Sequence, residues 1–196
     1  MKFELGLEGL IITSQAFIYT YMISGIVALH LTEQFGVEFN GTFGTSIDKD
    51  DKLTLEDDYS IKTQIIRISS MVGGNLLWTP IYGKYQLSSG RLIYFDTYLS
   101  GGMSNTGVEY QFDHCNIDKN SEYQLKSDYV ASYPTFSVGI GQRFFVSKKS
   151  SFRWALKSHI FSTNSKDGAC TDNPNIAETT TQQPNSTVHF GYSRFF

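Results

Sequence analysis

Apolar and polar residues alternate one by one along most of the chain. The last ten residues show this most clearly, with Val188, Phe190, Tyr192 and Phe196 on one side and Thr187, His189, Gly191 and Ser193 on the other. A period of two residues predicts a β-strand, and an apolar face ending in aromatic rings is typical of a strand that meets lipid. Arg194 takes an outward position, from which its long side chain can reach the lipid headgroups.

Eight segments carry this alternation, at about residues 2–12, 17–31, 35–46, 76–87, 91–103, 132–146, 151–163 and 187–196. The connections after the second, fourth and sixth segments are short, whereas long polar loops are predicted at 47–74, 104–131 and 164–186. Outer-membrane barrels have short periplasmic turns and long extracellular loops. The chain is therefore predicted to be all-β, one eight-stranded antiparallel up-and-down transmembrane β-barrel domain over residues 1–196. The connection between the first two strands is the exception, because it is short for the outer side.

Two segments allow a helical interpretation. Residues 9–31 are long and apolar enough for a transmembrane helix or signal anchor, although the break at Thr13-Ser14-Gln15 and the β-branched content favour two strands. In the first long loop, Ile61, Ile65 and Ile68 recur at helical spacing, so a short amphipathic helix over the barrel mouth is plausible. The acidic residues that precede them lack the spacing of a calcium loop, which favours a solvated loop.

Composition agrees with a barrel whose hydrophobicity is hidden by alternation. Aromatic residues make up 15% of the chain, there are 17 glycines, and the mean hydropathy is only −0.22. A net charge of −3 argues against nucleic acid as a partner, since such proteins present a basic face. No signal peptide is visible, so the sequence is interpreted as a mature chain with an added start Met.

Three motifs carry a resemblance to a known family. They are Trp78-Thr79-Pro80-Ile81-Tyr82-Gly83-Lys84, Tyr94-Phe95-Asp96-Thr97-Tyr98-Leu99-Ser100 and Gly139-Ile140-Gly141-Gln142-Arg143-Phe144-Phe145. The chain resembles small porin-like outer-membrane β-barrels found chiefly in predatory and gliding δ-proteobacteria. This resemblance implies a bacterial outer-membrane location. The final Phe196 likewise resembles the terminal aromatic residue of outer-membrane proteins, which implies an assembly signal read by the barrel-assembly machinery.

Charged residues on the inward face decide whether the lumen is a plug, a pore or a pocket, because eight strands leave room only for side chains. The alternation sends eight of them inward: Glu4, Glu8, Glu38, Lys84, Asp96, Arg143, Arg153 and Lys157. Buried charges are tolerated only when paired. A closed salt-bridge network is therefore predicted, with an ion or proton path as the alternative.

Catalytic and metal-binding chemistry has little support in the sequence. His159 and His189 are both inward on adjacent strands, but no third metal ligand and no serine nucleophile with a base stands out. We therefore expect no catalytic residue, no metal and no cofactor. Cys115 and Cys170 lie in long loops on the same predicted side, so a disulfide is expected in an oxidising envelope.

Small residues interrupt the outward aromatic face at Gly25, Gly41, Thr79, Gly83, Thr97 and Gly101. Small residues let membrane segments approach closely, so this stripe suggests contact between barrels, although glycines can also relieve curvature. We expect a non-catalytic barrel that organises the membrane, with membrane lipids and copies of itself as partners. A homo-oligomeric ring could enclose lipid. A small pore or a lipid-modifying enzyme is the other class.

Overall fold

The computed structural model describes residues 2–50, 66–86, 90, 92–110, 129–164 and 179–196. Its eight strands are β1 (Lys2–Ile12), β2 (Ile18–His30), β3 (Phe35–Asp48), β4 (Ile66–Gln86), β5 (Leu92–Tyr110), β6 (Tyr129–Ser147), β7 (Ser150–Asn164) and β8 (Thr180–Phe195). Each strand pairs antiparallel with its neighbours in sequence, and β8 pairs with β1 to close the barrel. The predicted fold class is confirmed. No helix within the described ranges is long and apolar enough to cross a membrane.

The strands are strongly staggered around the barrel. A path of paired residues that leaves β1 at Lys2 and passes through all eight strands returns to β1 at Ile12, ten residues further along. Such a shear requires tilted strands and fixes the barrel's radius. The interior is therefore narrow and must be filled by side chains.

Several strands extend into segments predicted to be loops. β4 begins at Ile66, β5 continues to Tyr110, β6 begins at Tyr129 and β8 begins at Thr180, so the loop bounds 47–74, 104–131 and 164–186 were too wide. These strand ends are rich in Ser, Thr, Gly and Asn, which weakens the alternation, yet backbone pairing continues through them.

Both helical interpretations are wrong where the structure tests them. Residues 9–31 hold the end of β1 and all of β2, and Ile68 lies in β4 with its side chain buried. The other two isoleucines of the proposed helix, Ile61 and Ile65, lie outside the described residues. The turn between β2 and β3 is tight because the Thr32 hydroxyl accepts hydrogen bonds from the backbone N–H groups of Gln34 and Phe35.

The outer wall carries a belt of exposed apolar side chains on every strand. Members of the belt include Leu5, Leu7, Ile23, Val27, Phe39, Phe43, Val72, Leu76, Leu99, Met103, Phe136, Val138, Ile140, Phe152, Leu156, Ile160 and Phe190. In water such a surface would be highly unfavourable, whereas hydrocarbon accepts it. At the closing seam, Phe196 donates its backbone N–H to the Phe3 carbonyl at 2.8 Å, and the two rings lie 6.3 Å apart.

Candidate functional site

The lumen is the candidate site, because the inward positions bring together charged residues from five strands. Of the eight inward charges predicted from the sequence, the structure buries seven in one group: Glu4, Glu8, Glu38, Asp96, Arg143, Arg153 and Lys157. They come from β1, β3, β5, β6 and β7. Strand alternation selects the inward positions, and the barrel's small radius then forces these long side chains to meet across the axis.

Arg153 forms the centre of this group. Its guanidinium nitrogens lie 2.6 Å from Glu8, 2.6 Å from Glu38 and 3.5 Å from Glu4. Glu38 also accepts a hydrogen bond from Lys157 at 3.2 Å. All of these side chains are almost completely excluded from solvent. Arg153 therefore pairs with three carboxylates that would be very costly to bury alone, and Lys157 and Arg143 add positive charge beside Glu38 and Glu4.

Arg143 forms a second centre at the periplasmic end. Its Nε and a terminal nitrogen donate to the two oxygens of Asp96, each at 2.9 Å, while the other terminal nitrogen donates to Glu4 at 3.0 Å. This is the bidentate geometry in which a guanidinium binds a carboxylate most strongly. Glu4 thereby links the Arg143 centre to the Arg153 centre, so the lumen holds one continuous network.

Tyr98 is not among the lumen residues predicted from the sequence, although it lies two residues from Asp96 and so shares its inward face. Its ring is buried, and the central carbons of the Arg143 and Arg153 guanidinium groups are 5.4 Å and 5.3 Å from the ring centroid. Its hydroxyl is 3.1 Å from Arg153. The ring therefore interacts favourably with both cations.

Two histidines extend the network. His30 lies 2.7 Å from Glu4, and His189 lies 3.0 Å from Glu8. His189 also contacts the Thr187 hydroxyl, which His159 approaches from the other side at 3.2 Å. Each imidazole therefore adds a hydrogen-bonding partner to a buried carboxylate of β1. His30 shares the inward parity of Ala28, which was the sequence signal that could have revealed it.

Lys84 must be removed from the predicted network. Its backbone pairs with Tyr94 rather than with Asp96, and its side chain is exposed at the periplasmic end of the β4–β5 hairpin. The residue of β4 that pairs with Asp96 is Tyr82, and Lys84 lies two residues further along the hairpin. This hairpin also runs past the start of β3, which pairs with β4 only as far as Trp78.

Glycines on the inner wall make room for the large side chains of the network. A Cβ added to Gly141 would overlap the ring of Tyr98, one added to Gly139 would overlap Lys157, and one added to Gly191 would overlap Glu8. Small and large residues thus alternate across neighbouring strands, as in other tight barrels. The network fits because the facing positions carry no side chain.

The outer half of the lumen is closed by apolar packing rather than by charge. Its buried cluster consists of Leu10, Ile12, Met22, Ile68, Met71, Val108, Tyr110, Tyr133 and Phe161. The hydroxyls of Tyr110 and Tyr133 bond to each other at 2.8 Å. An ion that crossed the barrel would have to pass both a dehydrated apolar layer and a compensated charge network.

The residues predicted to form contacts between barrels do not form one continuous stripe. Gly25, Gly41 and Val72 are paired across β2, β3 and β4 and line an outer groove of about 450 Å³. Gly101 lies on β5, where an added Cβ would meet open space, and Thr97 is partly exposed on the same strand.

Two of those residues cannot act as barrel contacts. Thr79 faces the lumen, where it is buried and lies 3.5 Å from Arg143. The bulge between Trp78 and Ile81 places it on the opposite side of the wall from Ile81. The outer face of Gly83 is covered by the Phe95 ring.

Two further predictions concern the cysteines and metal binding. Cys115 and Cys170 lie outside the described residues, so their disulfide stays a prediction. Within the described ranges, no group of three or more His, Cys, Asp or Glu is arranged to hold a metal ion.

Comparison with solved structures supports the architecture. The N-terminal β-barrel domain of Pseudomonas aeruginosa OprF superposes with a TM-score of 0.56 at 8% sequence identity, over 100% of this chain and 97% of that one. Pseudomonas aeruginosa OprG gives a TM-score of 0.47 at 12% identity, over 100% of this chain and 95% of that one. No protein-family model and no curated protein sequence matches the chain.

The fold and the outer belt together define the class of protein. A closed eight-stranded barrel with an apolar exterior can bury its outer face only in a bilayer, and single-chain barrels of this kind belong to bacterial outer membranes. The chain is therefore a small bacterial outer-membrane β-barrel. At 8% identity, the similarity to the OprF domain shows the fold alone.

Proposed function

We propose that this protein is a non-catalytic outer-membrane barrel that acts as a structural, membrane-organising component. The observation that carries the proposal is the doubly closed lumen, with a compensated charge network in the periplasmic half and an apolar cluster in the outer half. A conducting pore needs a continuous hydrated path, and neither layer offers one. Membership of the δ-proteobacterial family is part of this proposal and rests on the three sequence motifs.

Conductance in planar bilayers tests the closed lumen. Purified monomers should insert without giving steady ion currents. Arg153→Ala is the matched opening variant, because it removes the side chain at the centre of the network, and any current should appear or increase in that variant first. Steady currents through the unmodified monomer would overturn the closed-lumen proposal and favour the alternative, a small channel.

The enzymatic alternative, a lipid-modifying barrel, would need a nucleophile beside a base at the outer rim. Ser14 lies at that rim, but its hydroxyl contacts Asn185 at 3.4 Å rather than a histidine or carboxylate. Incubation with radiolabelled phospholipid and lipopolysaccharide should therefore release no labelled acyl chain. Release that depends on the protein would reverse this part of the proposal.

Association between copies is the second part of the proposal. The groove around Gly25 and Gly41 lies within the outer apolar belt, and an added Cβ at either glycine would meet open space. A second barrel can therefore approach closely there. We propose a homo-oligomer, with a ring as the form that would enclose membrane lipid. Phe196, exposed at the closing seam, is the proposed signal for the barrel-assembly machinery.

A further inference from the structure

The β4–β5 hairpin extends beyond its neighbour β3 at the periplasmic end of the barrel. β3 pairs with β4 only as far as Trp78, and beyond that point Thr79 donates its backbone N–H to the Gln34 carbonyl at 2.8 Å. β4 nevertheless continues to Gln86, paired with β5 along its other side. Within the part of the chain that the structure describes, Ile81–Gln86 therefore have no partner strand on the β3 side.

This free edge is held in an extended conformation by the rest of the hairpin. Each residue of Ile81–Gln86 pairs with a residue of β5. On the outward face, the ring of Phe95 lies 5.8 Å from the ring of Tyr85 and 6.4 Å from that of Phe144 on β6. The edge spans roughly 20 Å of strand, and alternate residues direct their backbone N–H and C=O groups to its open side. It is therefore preorganised to receive another strand.

The chemistry of the edge indicates the kind of partner. A row of backbone donors and acceptors is matched by an extended polypeptide, whose main chain supplies the affinity while the neighbouring side chains supply specificity. Ile81 and Tyr85 are exposed on the outward face of the hairpin, and Tyr82 and Lys84 are exposed on the inward face. An added strand would therefore place its alternate side chains beside an apolar face and beside a face that carries a cation.

A second copy of this chain does not fit the edge. Two barrels in one membrane that share a two-fold contact are related by an axis along the membrane normal, and the strands of such barrels tilt by about 35–45°. Two copies of β4 would then cross at about 70–90°, whereas paired strands differ in direction by only about 20–25°. Lys84 within the edge also disfavours pairing with an identical edge. The added strand must therefore come from a different chain.

The charges along the edge favour an acidic residue at one position of that strand. Lys84 is exposed towards the tip of the hairpin. Glu33 is exposed in the β2–β3 turn, which contacts β4 at Thr79 and so lies at the opposite end of the edge. A carboxylate on the added strand is therefore favoured beside Lys84 and disfavoured beside Glu33.

We propose that the free edge of β4, Ile81–Gln86, binds an extended segment of a periplasmic protein as an added β-strand, with a carboxylate side chain of that segment beside Lys84. The barrel would thereby anchor a periplasmic partner to the outer membrane. This site is separate from the charge network and from the glycine groove. The proposal depends neither on the closed lumen nor on association between barrels.

Amide hydrogen exchange of the barrel in phosphatidylcholine nanodiscs tests strand addition. The probe is a fluorescent hexapeptide of alternating threonine and valine with one glutamate, whose dissociation constant is first measured by fluorescence anisotropy. At ten times that concentration, the peptide should slow exchange about tenfold at alternate amides of Ile81–Gln86, because exchange there requires the unoccupied edge. The same peptide with every backbone nitrogen methylated donates no hydrogen bonds and should slow none of them. Unchanged exchange with the first peptide, or equal slowing with both, would overturn the proposal.

Lys84→Glu and Lys148→Glu are the matched variants for the charge. Lys84→Glu should weaken binding of the glutamate peptide about fivefold and strengthen binding of a peptide with lysine in that position. Lys148 is an exposed lysine at the same end of the barrel, in the β6–β7 turn, and its substitution should leave both affinities unchanged. Equal affinities of the two peptides for the unmodified protein would contradict the carboxylate beside Lys84. That comparison and the exchange measurement need neither variant to fold.

Discussion

Arg153 is the residue on which the charges of the lumen converge. It contacts carboxylates from β1 and β3, and those side chains have almost no access to water. Asp96 differs, because Arg143, its cationic partner among the described residues, also pairs with Glu4. Loss of Arg153 leaves three carboxylates with insufficient compensation, whereas loss of Asp96 leaves Arg143 paired.

The first prediction compares these two positions. Arg153→Met should lower the free energy of unfolding by about 3–5 kcal/mol, because it leaves buried carboxylates without their cation. Asp96→Asn should cost about 1–3 kcal/mol, the loss of charge-assisted hydrogen bonds. Urea unfolding in vesicles, followed by tryptophan fluorescence, measures both. Arg194→Met, at an exposed outward arginine, is the control and should unfold like the unmodified protein. Equal losses at Arg153 and Asp96 would contradict a network centred on Arg153.

The second prediction separates the two lysines that the sequence placed together. Lys157 is buried and 3.2 Å from Glu38, whereas Lys84 is exposed. Lys157→Met should cost about 1–3 kcal/mol, because Glu38 loses one of the two cations that pair with it among the described residues. Lys84→Met should leave the unfolding midpoint unchanged in the same assay. A comparable loss at Lys84 would show that it does reach the lumen.

At the scale of the element, irregularities in the strands decide which side chains meet. The bulge between Trp78 and Ile81 places Thr79 and Ile81 on opposite sides of the wall, with Thr79 buried in the lumen and Ile81 exposed. On β6, regular alternation holds, so Gly141 lies opposite Tyr98 and leaves space for its ring. β4 therefore departs from regular alternation, whereas β6 follows it.

The third prediction tests this packing on β6. Gly141→Ala should push the Tyr98 ring away from the two guanidinium groups and cost about 1–3 kcal/mol, the usual range for overpacking. The change should appear as a lower midpoint in thermal unfolding. Gly101→Ala, on the adjacent strand, places its methyl group in open space and serves as the control. If both variants unfold at the same temperature, the inner glycines are not needed for packing.

At the scale of the whole molecule, the inside and the outside of the barrel differ in chemistry. Its inside is filled twice, by charge pairing and by apolar contact, and its outside offers lipid an apolar belt with one glycine groove. A filled interior supports the proposal that function resides on the outer surface. This arrangement is the physical reason for preferring an organising role to transport.

The fourth prediction concerns association through the groove. Gly41→Leu should fill the groove without strain, because an added Cβ there meets nothing within 4 Å, and should shift oligomers toward monomers. Mass measurement in mild detergent, with analysis of co-purified lipid, gives the readout. Gly9→Leu also adds a side chain to open space on the outer face and should leave association unchanged. A monomeric unmodified protein without retained lipid would remove the ring from the proposal.

The sequence by itself determined the number of strands, their inward and outward faces and the set of residues available to the lumen. Those features follow from a period of two residues, which is a local property of the chain. Tertiary structure decided which charges meet: Glu38 on β3 reaches Arg153 on β7, 115 residues away, only because the shear places both at one level of the lumen. It also decided how far the β4–β5 hairpin extends beyond β3, which leaves Lys84 outside the lumen. Register and strand length depend on pairing between distant segments, and no local pattern encodes them.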